Sequence, residues 1–408
     1  MNNNNKNNNN YVVPTQNLIE RGTICIFVMF DIPKVLDFST LLKSYFNCLR
    51  RKHKKEYAVD FHIRSDILLE DLMNAINSRT YKINPSTCFG IALPKFREIW
   101  AAEFVDRIPQ TLMVDLLTPY YVPRFIETTY SCIKDRGTHK AREKAIELIE
   151  SISNHYTKDA WILKMDITNY FGEINKNILW GIYEKDLPKD SVLTDLLKQI
   201  IFNNPTDNPI IRNSSALSQV PYKKRLANSK KDCGLPIGNI TSQFSGNVYL
   251  DEIDHWSVKY GIKGYVRYVD DILVIDDDLE RLKRFEKEFK ERLWETRQLT
   301  ISDEKSKLVY ARDGIMFLGA KILPNRTYTR NFTLGKVKSF LNTFEKEAKE
   351  KTLDELAEYL PRINSWLGLL RGFNEFKFRR RMCERIWKAS TGRIHYDKEY
   401  TKMFVQKK

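Results

Sequence analysis

The sequence has no long apolar run. Its longest, Ile24-Cys-Ile-Phe-Val-Met-Phe30, is seven residues, far short of the roughly 20 needed to span a bilayer. It follows an Asn-rich leader, not a basic one with a cleavage site, so neither a membrane partner nor a signal peptide is expected. Cysteine is sparse: Cys25, Cys48, Cys88, Cys132, Cys233 and Cys383 are scattered without Cys-x-x-Cys spacing. That excludes a disulfide frame and a zinc ribbon, and points to the reduced thiols of a cytoplasmic protein. No internal repeat is evident. Acidic residues are also short of basic ones, 52 against 67, for a formal net charge of +15 over 408 residues. The length allows two or three domains with a real core. The basic excess favours a polyanionic partner, nucleic acid ahead of a membrane surface.

Residues 1–10 are nearly all Asn and are expected to be disordered; 11–34 carry no assignable role beyond a possible strand at 24–30. From 37 to 78 the pattern is helical, with Leu41, Leu42, Tyr45, Phe46 and Leu49 at three- and four-residue steps, and Ile67, Leu68, Leu69, Leu72 and Ile76 on a second helix. Between them runs Arg50-Arg-Lys-His-Lys-Lys55, a solvated face or a phosphate contact. Residues 88–100 read as a hairpin presenting Lys95 and Arg97 on one strand face, suited to a triphosphate. After a helical stretch at 101–128 comes a basic loop with Arg136 and His139, then a helix with Thr138 as its cap. Helices are expected at 175–186 and 191–203, with a polar loop at 205–232 reading as an insertion. A Gly/Pro-rich turn at 234–243 feeds a helix ended by Gly261. A charged helix at 279–298 precedes two strands, 299–308 and 314–322. Residues 333–388 read as a helical domain with Arg371, Arg379, Arg380, Arg381 and Arg385 on a basic face.

The chemistry centres on residues 264–275, where Asp270 and Asp271 sit between runs rich in Val, Ile and Tyr. The pattern is a β-hairpin with the acidic pair at its turn. Adjacent carboxylates among apolar strands repel and lose solvation, a conflict that a divalent metal removes; an ordinary polar turn is the bland alternative. Asp166 ends another apolar strand, 161–166, just before a turn. One antiparallel sheet could gather all three carboxylates, as two-metal phosphoryl transfer requires.

In that order these motifs resemble reverse transcriptases. Tyr268-Val-Asp-Asp271 looks like the family's Tyr-x-Asp-Asp signature, and the stretch from Ile162 through Asp166 to Ile174 like its first catalytic-Asp motif. Gly234-Leu-Pro-Ile-Gly-Asn-Ile-Thr-Ser-Gln243 is similar to the motif between them, and Phe317-Leu-Gly319 to the primer grip. The match runs from about residue 37 to 388. The resemblance implies an α+β right-hand polymerase fold. Residues 1–34 would be an N-terminal extension and 35–160 fingers with N-terminal helices. Residues 161–325 would form a palm of antiparallel sheet backed by helices, with an insertion near 175–232, and 326–408 a helical thumb, its start resembling Asn364-Ser-Trp-Leu-Gly368. It implies Asp166, Asp270, Asp271 and Lys305 as catalytic, Lys305 resembling the lysine proposed to protonate pyrophosphate, with Lys307 an alternative. It places Asp166, Ile167, Asp270 and Asp271 around two Mg2+ ions, which Mn2+ may replace. Lys95, Arg97, Phe171, Ile237 and Gly238 would meet the dNTP, Phe171 as the gate against a 2′-hydroxyl or simply a core aromatic. Arg50, Arg51, Lys52, Lys54, Lys55, Arg136, His139, Gln243, Tyr268, Phe317, Leu318 and Gly319 would meet template RNA and the primer or cDNA.

Many family members carry Gln where Ile237 stands and end the motif in Ser-Pro where this chain has Ser242-Gln243. With Arg97-Glu-Ile-Trp-Ala101, Asp106-Arg107 and Arg136-Gly-Thr-His139, this resembles the reverse transcriptases of diversity-generating retroelements. Those copy a template RNA with errors at adenines and work with a small basic accessory protein. An apolar branch cannot hydrogen-bond a nucleotide as an amide can, so Ile237 links to low fidelity. No endonuclease, RNase H or maturase segment is expected after 390. A phage-defence or retron reverse transcriptase, or a catalytically dead nucleic-acid scaffold, are the competing readings.

Overall fold

The computed structural model describes residues 32–50, 52–92, 95–212 and 214–405. The Asn-rich leader, the run 24–30 and Arg51 lie outside the described residues. Helix α1 (Phe38–Leu49) starts at Asp37, whose carboxylate accepts the Thr40 N–H at 2.9 Å, an N-cap that satisfies one of the four orphan donors. The stepwise spacing buries Leu41, Tyr45 and Leu49, while Phe46 faces out. Helices α2 (Glu56–Ile63) and α3 (Ser65–Asn77) follow. Leu69, Leu72 and Ile76 are buried as expected, but Ile67 is exposed.

Strands β1 (Thr87–Ile91) and β2 (Arg97–Ala101) pair antiparallel. Lys95 lies in their connection, so the strand-face argument fails for it and applies to Arg97 alone. After α4 (Phe104–Tyr121), helix α5 (Thr138–Ile152) begins at Thr138 itself. Gly137 holds the cap position, so Thr138 is not the cap. Next come β3 (Trp161–Asp166), α6 (Tyr170–Glu173), α7 (Lys176–Asp186) and α8 (Val192–Phe202). The polar stretch 205–232 is more than a loop. It contains β4 (Ile210–Arg212), parallel to β1, and α9 (Ser214–Ser218). Gly90 lets α9 lie this close: a Cβ there would come within 2.4 Å of the Leu217 amide nitrogen. β4 is exposed at all three positions, so no alternation marks it in the sequence.

Helix α10 (Ile240–Lys259) precedes β5 (Gly264–Tyr268), β6 (Asp271–Asp276), α11 (Leu279–Arg297) and β7 (Lys307–Tyr310). The central sheet has order β5-β6-β3-β7, antiparallel throughout. Successive side chains go to opposite faces, and both faces are covered. Leu163, Met165, Ile272 and Val274 join the core with α10 and α11, whereas Ile162, Leu273 and Ile275 pack with Ala141, Ala145 and Ile149 of α5. That double burial explains the unbroken apolar runs. Of the expected strand 299–308 only the end is strand; Ile301 forms a lone bridge with Ile167. The expected strand 314–322 is a hairpin, β8 (Ile315–Phe317) and β9 (Ala320–Leu323), turning at Leu318 and Gly319, both at positive φ. β10 (Arg326–Thr329) completes a second sheet.

The C-terminal part has its own core around Val337, Phe344, Leu367, Met382 and Ile386. It is built from α12 (Asn331–Glu347), α13 (Leu353–Ala357), α14 (Leu360–Arg371) and α15 (Phe376–Ala389). A hairpin of β11 (Ile394–Tyr396) and β12 (Met403–Val405), not expected from the sequence, closes on α14 through Asn364, which bonds Met403 from both ends of its amide at 2.7 and 2.8 Å. The whole is an α+β fold, as expected.

One buried ion pair ties the central sheet to α10. Arg267 on β5 and Asp254 on α10 are both fully buried. Arg267 Nε donates to Asp254 Oδ1 at 2.8 Å and Nη2 to Oδ2 at 2.6 Å. Tyr265 and Thr129 hydroxyls donate to the same carboxylate at 2.8 and 2.9 Å. Arg267 Nη1 reaches Asn247 Oδ1 and the Val269 carbonyl, each at 3.2 Å. Removing one partner leaves a buried charge uncompensated. Arg267→Met is therefore expected to lose about 3–5 kcal/mol of unfolding free energy in urea denaturation. A loss under about 1 kcal/mol would mean that the pair behaves like a surface one.

Candidate active site

The β5–β6 hairpin turns through Val269 and Asp270, with Tyr268 and Asp271 as its last pair. Val269 has φ +58°, a left-handed conformation that a β-branched residue adopts only under constraint. The constraint is Arg267, whose guanidinium holds the Val269 carbonyl. Asp271 then opens β6 directly opposite Asp166 at the end of β3. The Ile167 amide donates to the Asp270 carbonyl at 3.1 Å, and Ser302 N–H donates to the Asp166 carbonyl at 2.8 Å. Backbone pairing alone thus brings Asp166, Asp270 and Asp271 to one sheet end. Asn169, in left-handed backbone, turns the chain away just beyond Asp166.

Burial raises Asp270 to about 6, with the charges of Asp271 and Asp166 adding to the shift. The other two carboxylates each hold a lysine. Lys305 is ion-paired with Asp166, and Lys164 Nζ lies 3.3 Å from Asp271 Oδ1. Lys305 rather than Lys307 makes this contact. The donor set is all oxygen, which suits a hard divalent cation, and Asp270 carries negative charge that no described lysine or arginine side chain pairs. Among the described residues no three acidic, His or Cys side chains are already gathered as a metal cluster. The fit therefore rests on donor chemistry and on the excess charge. Ile167 has a fully buried side chain, so only its main chain could serve a metal.

The segment 234–238 joins this centre to the small sheet. Leu235 N–H donates to the Phe171 carbonyl at 2.7 Å, Gly234 N–H to Ile174 O at 2.9 Å, and Trp100 N–H to Ile237 O at 2.8 Å. Gly238 has φ +127°, and a Cβ there would sit 2.7 Å from the Trp100 carbonyl. Only glycine permits that approach. Ile237 and Gly238 are so set beside β2, the strand that Arg97 opens, and Phe171 is tied to the same segment through Leu235. Phe171 is half-buried against Tyr170 and faces Gly246 of α10. Lys95 and Arg97 are exposed.

The nucleic-acid set divides. Tyr268 is half-buried, and Gln243 is exposed, accepting from Cys132 Sγ at 3.3 Å. Arg50, Lys54 and Lys55 are exposed around the α1–α2 turn, but Lys52 bonds the Cys48 carbonyl and closes α1. Arg136 is also engaged internally, its Nη1 donating to Ile126 O and Thr129 O at 2.9 and 2.8 Å. His139 meets Arg142 Nη2 at 2.9 Å and backs onto Gly372, a contact between α5 and the end of α14. Of the expected primer-grip segment Phe317-Leu-Gly319, the Phe317 ring is fully buried, and the turn lies at Leu318 and Gly319. Lys164, Arg267 and Asp254 were missed. A lone arginine inside an apolar strand needs a buried partner, and a lysine two residues before Asp166 shares its strand face; both were signals.

The model of the family described as reverse transcriptase (RNA-dependent DNA polymerase) matches residues 82–322, more than half the chain. The chain belongs to the reverse transcriptase family. Protein YkfC of Escherichia coli K12 is 21% identical over 304 residues, covering 66% of this chain and 73% of that protein. Among solved structures, a Candida albicans telomerase in complex with a fragment of telomeric RNA aligns with TM-score 0.40 at 14% identity, over 77% of this chain and 61% of that one. An apo Candida tropicalis telomerase, truncated from its C-terminal domain, aligns with TM-score 0.40 at 13% identity, over 61% and 56%. This chain therefore spans less than two thirds of either telomerase chain. Reverse transcriptases use divalent metal ions, in keeping with the oxygen-rich centre. No described helix is long and apolar enough to cross a membrane.

A carboxyl raised in the folded state favours folding fully below its unfolded pKa, and that stability is lost as pH rises through the folded value. For Asp270 the window runs from about 4 to about 6. Without divalent cations, Asp270→Asn is expected to be more stable than the parent at pH 7.5, the gap closing below pH ~4. Urea midpoints across pH check this; a pH-independent gap would contradict it.

Proposed function

We propose that the protein is an RNA-directed DNA polymerase, making cDNA from a template RNA in a diversity-generating retroelement. The observation that carries the polymerase reading is the register that sets Asp166 opposite Asp271, with Asp270 at the adjoining turn. Asp166, Asp270 and Asp271 would hold two Mg2+ ions, which supply activation of the primer 3′-hydroxyl and neutralisation of the leaving pyrophosphate. Lys305 Nζ, already on Asp166, holds a proton where the leaving group would take it. Lys164 holds Asp271 in place. Lys95 and Arg97 grip the triphosphate from the fingers, and Phe171 fills the space a ribose 2′-hydroxyl would need. Tyr268, Gln243 and the Leu318-Gly319 turn face the primer and template.

The retroelement subtype draws support from Ile237. Its main chain is fixed by Trp100, and its half-buried apolar side chain offers no hydrogen bond to a base or sugar. A small basic accessory protein belongs to the same reading. The test is cDNA synthesis on an RNA template with Mg2+, products sequenced. Product is expected from the parent, only background from Asp270→Ala, and errors concentrated opposite template adenines. Ile237→Gln is expected to lower that error rate. Accurate product from the parent would move the protein to another reverse-transcriptase group, and product from Asp270→Ala would refute the assigned centre.

A further inference from the structure

The late arginines were expected to form one basic face, but the structure sorts them. Arg379 is buried and donates to the Glu399 and Tyr400 carbonyls at 3.0 and 3.1 Å. Arg380 pairs with Glu384 at 2.8 Å, and Arg385 with Glu345 at 2.6 Å. Arg381, with no such partner, turns into a cleft of about 900 Å³ between β10, α12 and α15 that Arg385 also lines. There it joins Lys377, one helical turn earlier, Arg326 of β10 and Lys338 of α12. All four are exposed, and none makes an ion pair with a described residue. The lining contains Glu345's partner Arg385 and a single acid, Glu375, which is nine-tenths buried. Elsewhere on the surface cations are commonly paired, as on α11, where Lys283 and Lys290 each hold a glutamate. Four unpaired cations around one cleft raise a positive potential that favours an anionic occupant.

The aromatic content narrows the occupant. Phe376 is half exposed at the cleft, with Tyr328 across from it on β10. Phe376 packs edge-on against Tyr400 and under Arg379, and Tyr328 is half-buried; the exposed part of such rings between cations is a stacking platform for unpaired bases, which a duplex keeps stacked within itself. The cleft is wide and open, and its cations come from three separate elements, which fits an extended backbone better than one small anion. All its lining residues fall within 325–385, apart from the carboxylate centre and the small sheet.

We propose that this cleft binds a single-stranded segment of RNA, its phosphates on Arg326, Lys338, Lys377 and Arg381 and its bases against Phe376 and Tyr328. The choice of RNA over DNA rests on the polymerase reading above; the cleft itself does not. The site would hold RNA outside the reacting duplex and keep the template attached while it is copied.

The experiment uses the full chain, a fluorescent single-stranded RNA of about 20 nucleotides, the single-stranded DNA of the same sequence, and a blunt RNA–DNA hybrid of the same length. The variants are the triple Arg326→Ala, Lys377→Ala, Arg381→Ala, the charge-keeping Arg381→Lys, and Phe376→Ala. The triple variant is expected to bind single-stranded RNA at least tenfold more weakly, with the salt slope smaller by roughly 2, since each single-strand phosphate contact contributes about 0.7. Hybrid binding should change less than threefold, as should extension of a primer on a template with a short overhang. Arg381→Lys should retain binding, and Phe376→Ala should weaken it without altering the salt slope. Unchanged RNA affinity and slope in the triple variant would overturn the proposal, as would an equal loss on the hybrid, which would make the cleft a duplex site. Equal losses on single-stranded DNA and RNA would overturn the choice of RNA. If the parent extends no primer but the triple variant still loses RNA binding, the cleft stands and the polymerase reading falls.

Discussion

The Arg267–Asp254 pair is the constraint on which the rest depends. Taking both charges out of water is costly, and the interaction repays that cost only when nearly every donor and acceptor is met. Here they are met by Tyr265, Thr129, Asn247 and the Val269 carbonyl. The last bond has the largest consequence. It holds a β-branched residue in left-handed backbone, and so fixes the turn that carries Asp270. The same arginine pairs main chain with Thr128 and Tyr130, which anchors the segment leading to Cys132 and α5. A polar network inside the apolar sheet thereby aims the acidic turn.

The carboxylate centre stores electrostatic tension that the protein relieves only in part. Lys305 and Lys164 each neutralise one carboxylate, while at Asp270 burial and two like charges outweigh the more distant pull of Lys305. Such a centre is poised for a cation that the protein does not itself provide. On the other side, segment 234–238 is held by backbone bonds to both α6 and β2, so a shift of the small sheet would be felt at Phe171. The geometry couples the small sheet to the segment beside the carboxylate centre.

Much of this was legible in the sequence. The hairpin, the β3 strand ending at Asp166, α7, α8, α10 and α11 follow from period and caps, because each buries a continuous stripe or two faces of one sheet. What escaped was decided by tertiary contact. β4 is exposed at every position and exists because β1 offers an edge. The β8–β9 turn hides in an apolar run because Leu318 adopts positive φ. Lys52, Arg136, Arg379 and Arg385 read as a charged surface, yet each is spent on a carbonyl or a carboxylate, choices that composition does not reveal. Phe317 belongs to a segment expected to face nucleic acid, but its own ring is core.

The most direct measurement is Mn2+ binding, followed by electron paramagnetic resonance, in the parent and in Asp270→Asn at equal protein concentration. The account predicts bound Mn2+ in the parent and its loss in the variant, with the fold intact by circular dichroism. Equal Mn2+ binding in both would contradict the claim that Asp166, Asp270 and Asp271 form the metal centre of this chain.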